Sequence, residues 1–297
     1  MSTTPAPPRI FDRSLLRQRR ERIAGSSDPR RDFLFAESGE RLLDRLEDVR
    51  RRFPLALDLG SRDGLLGRLL QGRGGVETLV QSDLSLGMLR KAGGQVLQLD
   101  EEALPFAPAS FDLVLANLSL HWVNDLPGAL AQIHHVLKPD GLFLGVLFGA
   151  GTLAELRTVL MEAEIAETGG ASARVAPFAD LRDAAGLMQR AGFALPVADV
   201  ETVTVTYAGL MPLLADLRAM GEANILDARL KRPTQRRVIA RAAALYPEKF
   251  AMSDGRIPAS FRLIFLTGWA PHESQQQPAR RGSGKINLSD VLRDPRD

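Results

Sequence analysis

The stretch "LALDLGSRDGLLG" (residues 55–67) decides the fold of this chain. An apolar run ends in Asp58-Leu59-Gly60, and a second glycine, Gly64, follows four residues after the first. An apolar run that stops at a glycine turn and continues at helical spacing is typical of a strand, a turn and a helix in an α/β sheet. Glycines in such a turn let a ligand approach the backbone, and the helix that follows offers unpaired N–H groups to an anion. A plain strand-to-helix connection is the structural alternative.

Short apolar runs continue to alternate with helical segments as far as Phe148, which indicates strand–helix units and a parallel sheet. The sequence "KPDG" at 138–141 predicts a stop before the last of these strands. Because crossovers between parallel strands are right-handed, the pattern predicts a doubly wound α/β sheet. The predicted strands in this part are 55–59, 78–81, 95–99, 111–117 and 142–148.

The second half of the chain continues with helices and two more strands. Helices are predicted over 153–167, 178–191 and 209–250, a half-buried strand at "VETVTVTY" (200–207), and a last strand at "SFRLIFLTGW" (260–269). Phe261, Leu263 and Phe265 alternate in that last strand and are expected in the core. The predicted organisation is an N-terminal helical extension (1–52), a core (53–207), a helical lid insertion (208–257), the last core strand (258–272) and a flexible tail (273–297).

Composition narrows the classes of function. The 297 residues carry a net charge of only +2, which does not indicate a nucleic-acid partner. Arginines crowd the first 52 residues, but carboxylates are interleaved with them, so a solvated helical face is predicted. The absence of cysteine excludes disulfides and thiolate chemistry. No apolar run reaches the roughly 20 residues of a membrane span and no secretory signal is found, so we expect an intracellular, cytoplasmic protein.

Acidic side chains follow two of the other predicted strands. Asp83 closes the second strand in "LVQSDLS", and Asp100 with Glu101 ends the third in "VLQLDEEALPF". In a doubly wound sheet these positions face the crevice beside the glycine turn, where acids accept hydrogen bonds from ribose hydroxyls or from an adenine amino group. A helix cap, for which Ser85 competes with Asp83, and a solvated loop acid are the structural alternatives. The turn lacks the G-x-G-x-x-G spacing, so a dinucleotide is disfavoured.

The order of these motifs, with "SFDLVLAN" as the fourth strand and "LKPDG" before the fifth, resembles class I S-adenosylmethionine methyltransferases. A narrower resemblance rests on "IFDRSLLRQRR", "SLHWVNDLPGALAQIHHVLKPDG", "TLAELR", "MGEANI" and "GWAPHESQ", over roughly residues 10–282. These segments are similar to the family of the mitochondrial complex I assembly factor with a methyltransferase fold. The resemblance implies a seven-stranded class I methyltransferase (Rossmann-like) sheet with an N-terminal helical extension and a helical insertion before the last strand.

The resemblance also implies an activity and a cofactor. The activity is hydroxylation of an arginine on the iron–sulfur subunit of NADH:ubiquinone oxidoreductase, and the cofactor is S-adenosylmethionine. A more distant similarity is to the malonyl carrier-protein methyltransferase. The cofactor-binding residues implied are Asp58, Gly60, Ser61 and Gly64 around the methionine end, Asp83 and Leu84 at the ribose, Asp100 and Glu101 at the adenine, and Asn117 at the end of the fourth strand.

One position departs from the methyltransferase pattern. Arg62 stands where that pattern has a glycine between Gly60 and Gly64. Glycine tolerates positive φ and a close approach, which an arginine side chain resists. We expect weakened but functional cofactor binding, with Arg62 either swung out or paired with a cofactor carboxylate.

The residues after the fourth predicted strand are the candidates for chemistry. Asn117, His121 and Trp122 are predicted as catalytic residues, with His121 as the base, because its ordinary pKa lies near 6.5. Packing of Trp122 with His121 hydrogen-bonded beneath it is an equally good structural explanation. No metal site is predicted; an iron site from His121, His134 and Asp125 is a disfavoured alternative, although hydroxylation needs an oxidant.

The late insertion is the natural lid or partner surface over the crevice. Its basic stretch "DARLKRPTQRR" (227–237) fits either an acidic partner or a solvated helix end.

Three functions remain open on the sequence. The leading one is a methyltransferase-fold enzyme that binds S-adenosylmethionine and modifies an arginine of a respiratory complex I subunit. The second is a methyltransferase acting on a small molecule or a carrier-bound carboxyl, and the third is a non-catalytic assembly chaperone. The expected location is the bacterial cytoplasm, or the mitochondrial matrix in a eukaryote, with no nucleic acid as partner and peripheral membrane association as a possibility.

Overall fold

A computed structural model describes residues 9–26 and 32–276 of the chain, and these residues contain a seven-stranded sheet in the order β3-β2-β1-β4-β5-β7-β6. No helix in this part of the chain is long and apolar enough to cross a membrane. The strands are β1 (Leu55–Leu59), β2 (Thr78–Asp83), β3 (Gln95–Gln98), β4 (Phe111–Asn117), β5 (Leu137–Phe148), β6 (Ala194–Tyr207) and β7 (Ile257–Trp269). The helices are α1 (Arg13–Ala24), α2 (Phe33–Glu47), α3 (Leu65–Leu70), α4 (Leu86–Ala92), α5 (Leu126–Val136), α6 (Ala154–Thr168), α7 (Leu181–Arg190), α8 (Leu210–Met220) and α9 (Arg236–Phe250).

The strand order confirms the doubly wound α/β prediction. Strands β1 to β5 are parallel to one another, and β1 lies between β2 and β4, so the winding direction reverses between β1 and β4. The carboxyl ends of β1, β2 and β4 therefore meet at one edge, which is where doubly wound sheets bind ligands. The predicted helix stop at "KPDG" is confirmed, since α5 ends at Val136, but the predicted start of the strand at Leu142 is wrong, because β5 already begins at Leu137. A register shift between Phe111 and Leu113 of β4 accommodates these extra strand residues.

The sheet is mixed rather than wholly parallel. Strand β7 runs antiparallel to both β5 and β6. Antiparallel neighbours need no crossover helix between them, and here α8 and α9 lie between β6 and β7 along the chain. The core prediction for β7 is confirmed, since Phe261, Leu263 and Phe265 are buried.

Helices cover both faces of the sheet. On one face α5 and α7 contribute Ile133 and Met188 to a buried cluster. On the other, α2, α6 and α9 contribute Leu42, Val159 and Tyr246. This coverage explains why the central strands are apolar on both sides.

The helical prediction over 209–250 is wrong in its middle. Helix α8 ends at Gly221, whose φ of +80° is the left-handed conformation of a helix C-cap. Residues 221–235, called here the interhelix segment, are not helical, and α9 begins only at Arg236. In the predicted extension (1–52), residues 1–8 and 27–31 lie outside the described residues, as does most of the predicted tail (273–297).

Candidate active site

The end of β1 carries a buried carboxylate without a partner. Asp58 is 1% exposed, and neither of its oxygens accepts a hydrogen bond from any described residue. Burial, reinforced by the charge of Asp83, raises the pKa of Asp58 to about 8. Buried polar groups are normally satisfied, so this position is suited to a ligand that brings a hydrogen-bond donor or a positive charge.

The glycine turn after Asp58 is shaped by its neighbours. Gly60 and Gly64 have φ values of +80° and +79°. A Cβ added to Gly60 would lie 2.3 Å from Cβ of Ser119. The hydroxyl of Ser61, within the turn, is buried and has no partner among the described residues. The turn thus offers its backbone and a free hydroxyl to a ligand. The contact with Ser119 by itself already requires glycine at position 60.

Arg62 takes neither of the two positions expected from the sequence. It is buried, adopts a φ of +55°, and places its guanidinium 3.8 Å above the ring of Phe35. Its Nη2 donates to the carbonyl of Met220 at 2.9 Å, and its Nη1 lies 3.9 Å from Oε1 of Glu222. Burial lowers the pKa of Arg62 to about 10. The arginine therefore ties the glycine turn to the interhelix segment.

Two arginines of α1 form ion pairs with the acids that were predicted to bind the nucleoside. Nη1 of Arg20 donates to Asp83 at 2.9 Å and to Glu101 at 3.3 Å. Nη2 of Arg13 donates to Asp100 at 2.6 Å and also to Glu101. Burial opposes ionisation of Glu101, but the charges of Arg13 and Arg20 hold its pKa below the ordinary value. Arg13 and Arg20 are called the α1 arginine pair below.

Little room remains at the end of β1. The cavity beside Phe35, Asp58, Gly60 and Asn117 measures about 10 Å³, which is about the volume that one water molecule needs. The donors and acceptors present fit a ligand with an amino-acid end and a nucleoside end. Such a ligand is larger than this cavity, and at Asp83 and Glu101 it would compete with Arg20.

The solvated-face prediction for the N-terminal arginines is wrong for Arg20. That residue is 1% exposed, whereas Arg17 on the same helix is exposed. The signal in the sequence was the seven-residue spacing of Arg13 and Arg20, which puts both on the face that buries Leu16. The helix-cap alternative for Asp83 is excluded, because the hydroxyl of Ser85 caps α4 by accepting from the N–H of Met88.

The residues after β4 connect the sheet to the surrounding helices. The amide of Asn117 donates to the carbonyl of Phe35 at 2.8 Å and its Oδ1 accepts from Ser38 at 2.7 Å, which fixes α2. The hydroxyl of Ser119 donates to the carbonyl of Leu59. Leu84, predicted on the cofactor side, packs with Trp122 in a small buried cluster at the start of α1.

Glu222 joins His121 and Trp122 in one buried cluster. Its Oε2 accepts from Nε1 of Trp122 at 2.7 Å and lies 3.2 Å from Nε2 of His121. Burial keeps the pKa of His121 below its ordinary value, so the ring is neutral at neutral pH and its Nε2–H donates to Glu222. Burial would raise the pKa of Glu222, but His121, Arg62 and Arg20 hold it below its ordinary value. Sequence reasoning missed Glu222, although it lies within the quoted "MGEANI".

A larger cavity of about 660 Å³ adjoins this cluster. Trp122 and Glu222 line it, as do Leu156 of α6, Leu217 of α8 and Phe178. This volume is in the range of small-molecule and side-chain binding pockets.

The side chains considered for an iron site do not form one. Asp125 caps α5, and His134 packs against Phe193. In residues 9–26 and 32–276, no group of three or more His, Cys, Asp or Glu side chains is arranged to hold a metal ion.

Comparisons with known proteins assign the family. A model described as a methyltransferase domain matches residues 57–145. The arginine-hydroxylase NDUFAF5, mitochondrial, of Danio rerio is 41% identical over 95% of this chain and 89% of its own length. The chain belongs to the NDUFAF5 family. The NDUFAF5 family shares its fold with other methyltransferases: a malonyl acyl-carrier protein O-methyltransferase of Halorhodospira halophila is 34% identical over 86% of this chain and 88% of that protein.

The fold comparison agrees with the assignment to the NDUFAF5 family. The YcgJ protein of Bacillus subtilis superposes with a TM-score of 0.54 at 17% identity, covering 78% of this chain and 99% of that one. The methyltransferase-domain model and the carrier-protein methyltransferase relative place the chain in the S-adenosylmethionine-dependent methyltransferase superfamily, as the sequence predicted.

The protonation of Asp58 predicts a pH dependence of stability. Its folded pKa of about 8 exceeds the ordinary 3.8, so between these values the folded chain holds a proton that the unfolded chain has lost. Stability is therefore lost as pH rises through this window, by up to about 1.4 kcal/mol per pH unit. Asp58→Asn lacks this dependence, so the variant should gain stability relative to the native chain as pH rises from about 5 to about 8. Urea unfolding of both proteins across this pH range measures the difference in stability. Parallel pH profiles of the two proteins would contradict a raised pKa of Asp58.

Proposed function

We propose that this chain binds S-adenosylmethionine at the crevice and hydroxylates an arginine of a respiratory complex I subunit, with an oxidant of the peroxide class delivering one oxygen atom to the arginine and leaving as water. The observation that carries the proposal is the 41% identity to the Danio rerio arginine-hydroxylase NDUFAF5 over 95% of the chain. The cluster of Glu222, His121 and Trp122 beside the 660 Å³ cavity supports it, because it places polar groups next to a space for an acceptor. The proposed location is the bacterial cytoplasm, or the mitochondrial matrix in a eukaryote.

The proposed cofactor residues are those implied by the sequence. The unpartnered carboxyl group of Asp58, which a positive charge would ionise, suits the α-ammonium of the methionine end, and the free hydroxyl of Ser61 offers a second contact. S-adenosylmethionine, when bound, supplies an electrophilic sulfonium methyl group. The remaining contacts would come from Gly60 and Gly64 in the turn, Asp83 and Leu84 at the ribose, Asp100 and Glu101 at the adenine, and Asn117 beside Asp58.

The three proposed catalytic residues have different roles. His121 is neutral, and its Nδ1 is buried with no partner among the described residues, so it is able to accept a proton. Trp122 lines the cavity and fixes Oε2 of Glu222. The amide of Asn117 is already bonded to α2, so it positions the rim of the crevice and does not transfer a proton.

Methyl transfer to a carrier-bound carboxyl is the second candidate function. The 34% identity to the Halorhodospira halophila carrier-protein methyltransferase favours it, and so do the six cations against one acid that line the cavity. A non-catalytic assembly chaperone is the third, supported by the α1 arginine pair in the crevice.

The mass of the product separates these functions. We expect arginine peptides of the complex I iron–sulfur subunit to gain one oxygen atom in cells that express the native chain, and to lack it in cells without the chain or with Asp83→Ala. Peptide mass spectrometry measures this. A methyl group gained on a carboxylate instead would support the second candidate, and no change in mass on any complex I arginine would contradict the proposal.

A further inference from the structure

One part of the lining of the 660 Å³ cavity combines a buried carboxylate with aromatic rings. Glu222 is 8% exposed and lines the cavity. Its Oε2 is used by Trp122 and His121, whereas its Oε1 makes no hydrogen bond within the described residues and has Nη1 of Arg62 at 3.9 Å as its nearest cation. The rings of Trp122 and Phe178 also line this space, 5.8 Å apart between centroids. A carboxylate oxygen beside aromatic rings is a favourable site for a planar guanidinium.

The outer part of the same cavity is positively charged. Arg218, Lys231 and Arg232 line it, are exposed, and pair with no acid among the described residues. Three other cations of the lining are already engaged: Arg19 donates to the carbonyl of Ala223, Arg174 pairs with Glu164, and Arg229 pairs with Asp12. Arg218, Lys231 and Arg232 are called the cationic rim below.

We propose that the cavity recognises an arginine side chain in a protein segment that also carries carboxylates close to that arginine. The guanidinium binds Oε1 of Glu222 beside Trp122 and Phe178, and the neighbouring carboxylates bind the cationic rim. This proposal rests on the proposed function, because it names how the acceptor arginine would be selected.

Charge complementarity favours this occupant over simpler ones. A basic segment would bring its arginine past the cationic rim against like charges. A purely anionic group would pair with the rim but leave Oε1 of Glu222 without a donor. A segment with both charges satisfies both ends, and the leucines between them, such as Leu156 and Leu217, take its apolar side chains. Glu222 is thus a substrate-binding residue, and the rim sets specificity for the flanking sequence.

Binding of short synthetic peptides tests the proposal without turnover. The probe is fluorescein-labelled acetyl-Ala-Asp-Leu-Arg-Leu-Asp-Ala-amide, compared with a peptide in which Asn replaces both Asp and with one in which citrulline replaces Arg. Fluorescence anisotropy with the native full-length chain should give Kd values higher by about tenfold or more for each altered peptide, since the citrulline peptide loses one charge-assisted contact and the Asn peptide loses two. Equal binding of all three peptides, or no binding of the first, would overturn the proposal.

Variants test which residues of the cavity produce the preference for arginine over citrulline and which produce the preference for Asp over Asn. Glu222→Gln, which keeps the shape, should abolish the preference for arginine over citrulline and keep the preference for Asp over Asn. The combined change Arg218→Gln, Lys231→Gln and Arg232→Gln should abolish the preference for Asp over Asn and keep the preference for arginine over citrulline. The matched control changes three exposed arginines outside the cavity, Arg17, Arg90 and Arg236, to glutamine and should keep both preferences. If the control triple loses the Asp preference as fully as the rim triple, net charge explains it and the proposal fails.

The failure of this proposal can be told apart from failure of the proposed function. If the subunit arginine gains oxygen equally with native chain, Glu222→Gln and the rim triple, the function stands and the recognition site is wrong. If the peptide preferences follow the variants but no complex I arginine changes mass, the cavity binds such segments and the proposed function is wrong.

Discussion

Arg20→Met is expected to lower the free energy of unfolding by about 3–5 kcal/mol, because removing one partner of a buried ion pair leaves the other charge uncompensated. Arg20 is 1% exposed and supplies the side-chain cation at Asp83, which then keeps only backbone N–H donors from Arg62 and Ser85. Glu101 still has Arg13. Urea denaturation of the two proteins at neutral pH measures the difference.

The same substitution should strengthen cofactor binding. In the native chain a ligand at Asp83 and Glu101 competes with Arg20, so freeing these acids should lower the Kd for S-adenosylhomocysteine by about tenfold, or about 1.4 kcal/mol. Arg17→Met, on the exposed face of α1, is the control and should change neither quantity by more than about 0.5 kcal/mol. Weaker binding by Arg20→Met would show that the arginine supports the cofactor instead of competing with it.

Gly60→Ala is expected to cost about 3 kcal/mol of stability and to abolish cofactor binding. Two effects add: a φ of +80° is unfavourable for alanine by about 1 kcal/mol, and the new Cβ would lie 2.3 Å from Cβ of Ser119. Relief requires Ser119 to move and to break its hydrogen bond to the carbonyl of Leu59. Thermal and urea unfolding measure the first effect, and titration with S-adenosylhomocysteine measures the second.

Two further variants separate strain from collision at this turn. Gly72 has nearly the same φ, +81°, with nothing within 4 Å of an added Cβ, so Gly72→Ala should cost only about 1 kcal/mol. Ser119→Gly introduced together with Gly60→Ala should recover most of the extra loss. Equal costs for Gly60→Ala and Gly72→Ala would mean that the collision with Ser119 is not what fixes glycine at the turn.

The sequence predicted the elements that depend on local pattern. The apolar runs of β1 and β4 were located to the residue, because buried parallel strands are continuously apolar. The sequence also located Asp58, Asp83 and Glu101 at the edge where strand order reverses, because strand ends and acids are both visible in it. The antiparallel direction of β7 was missed, since an apolar strand reads the same in either direction.

The partners of the site residues could not be predicted, because they are distant along the chain. Arg20 lies 63 residues before Asp83, and Glu222 lies 101 residues after His121. Helical spacing shows that Arg13 and Arg20 share a face, but only the tertiary fold shows that this face packs on the acids. The prediction for Arg62 considered only the backbone conformation of the turn. The ring of Phe35 that accommodates its guanidinium comes from a helix outside the motif.

Titration calorimetry of the native chain with S-adenosylhomocysteine, alongside Asp83→Ala, tests most directly whether the crevice is a cofactor-binding site. We expect binding in the micromolar range to the native chain, accompanied by a rise in melting temperature, and the loss of both in Asp83→Ala. Absence of heat and of any thermal shift with the native chain would contradict it, and would mean that the α1 arginine pair closes the crevice permanently.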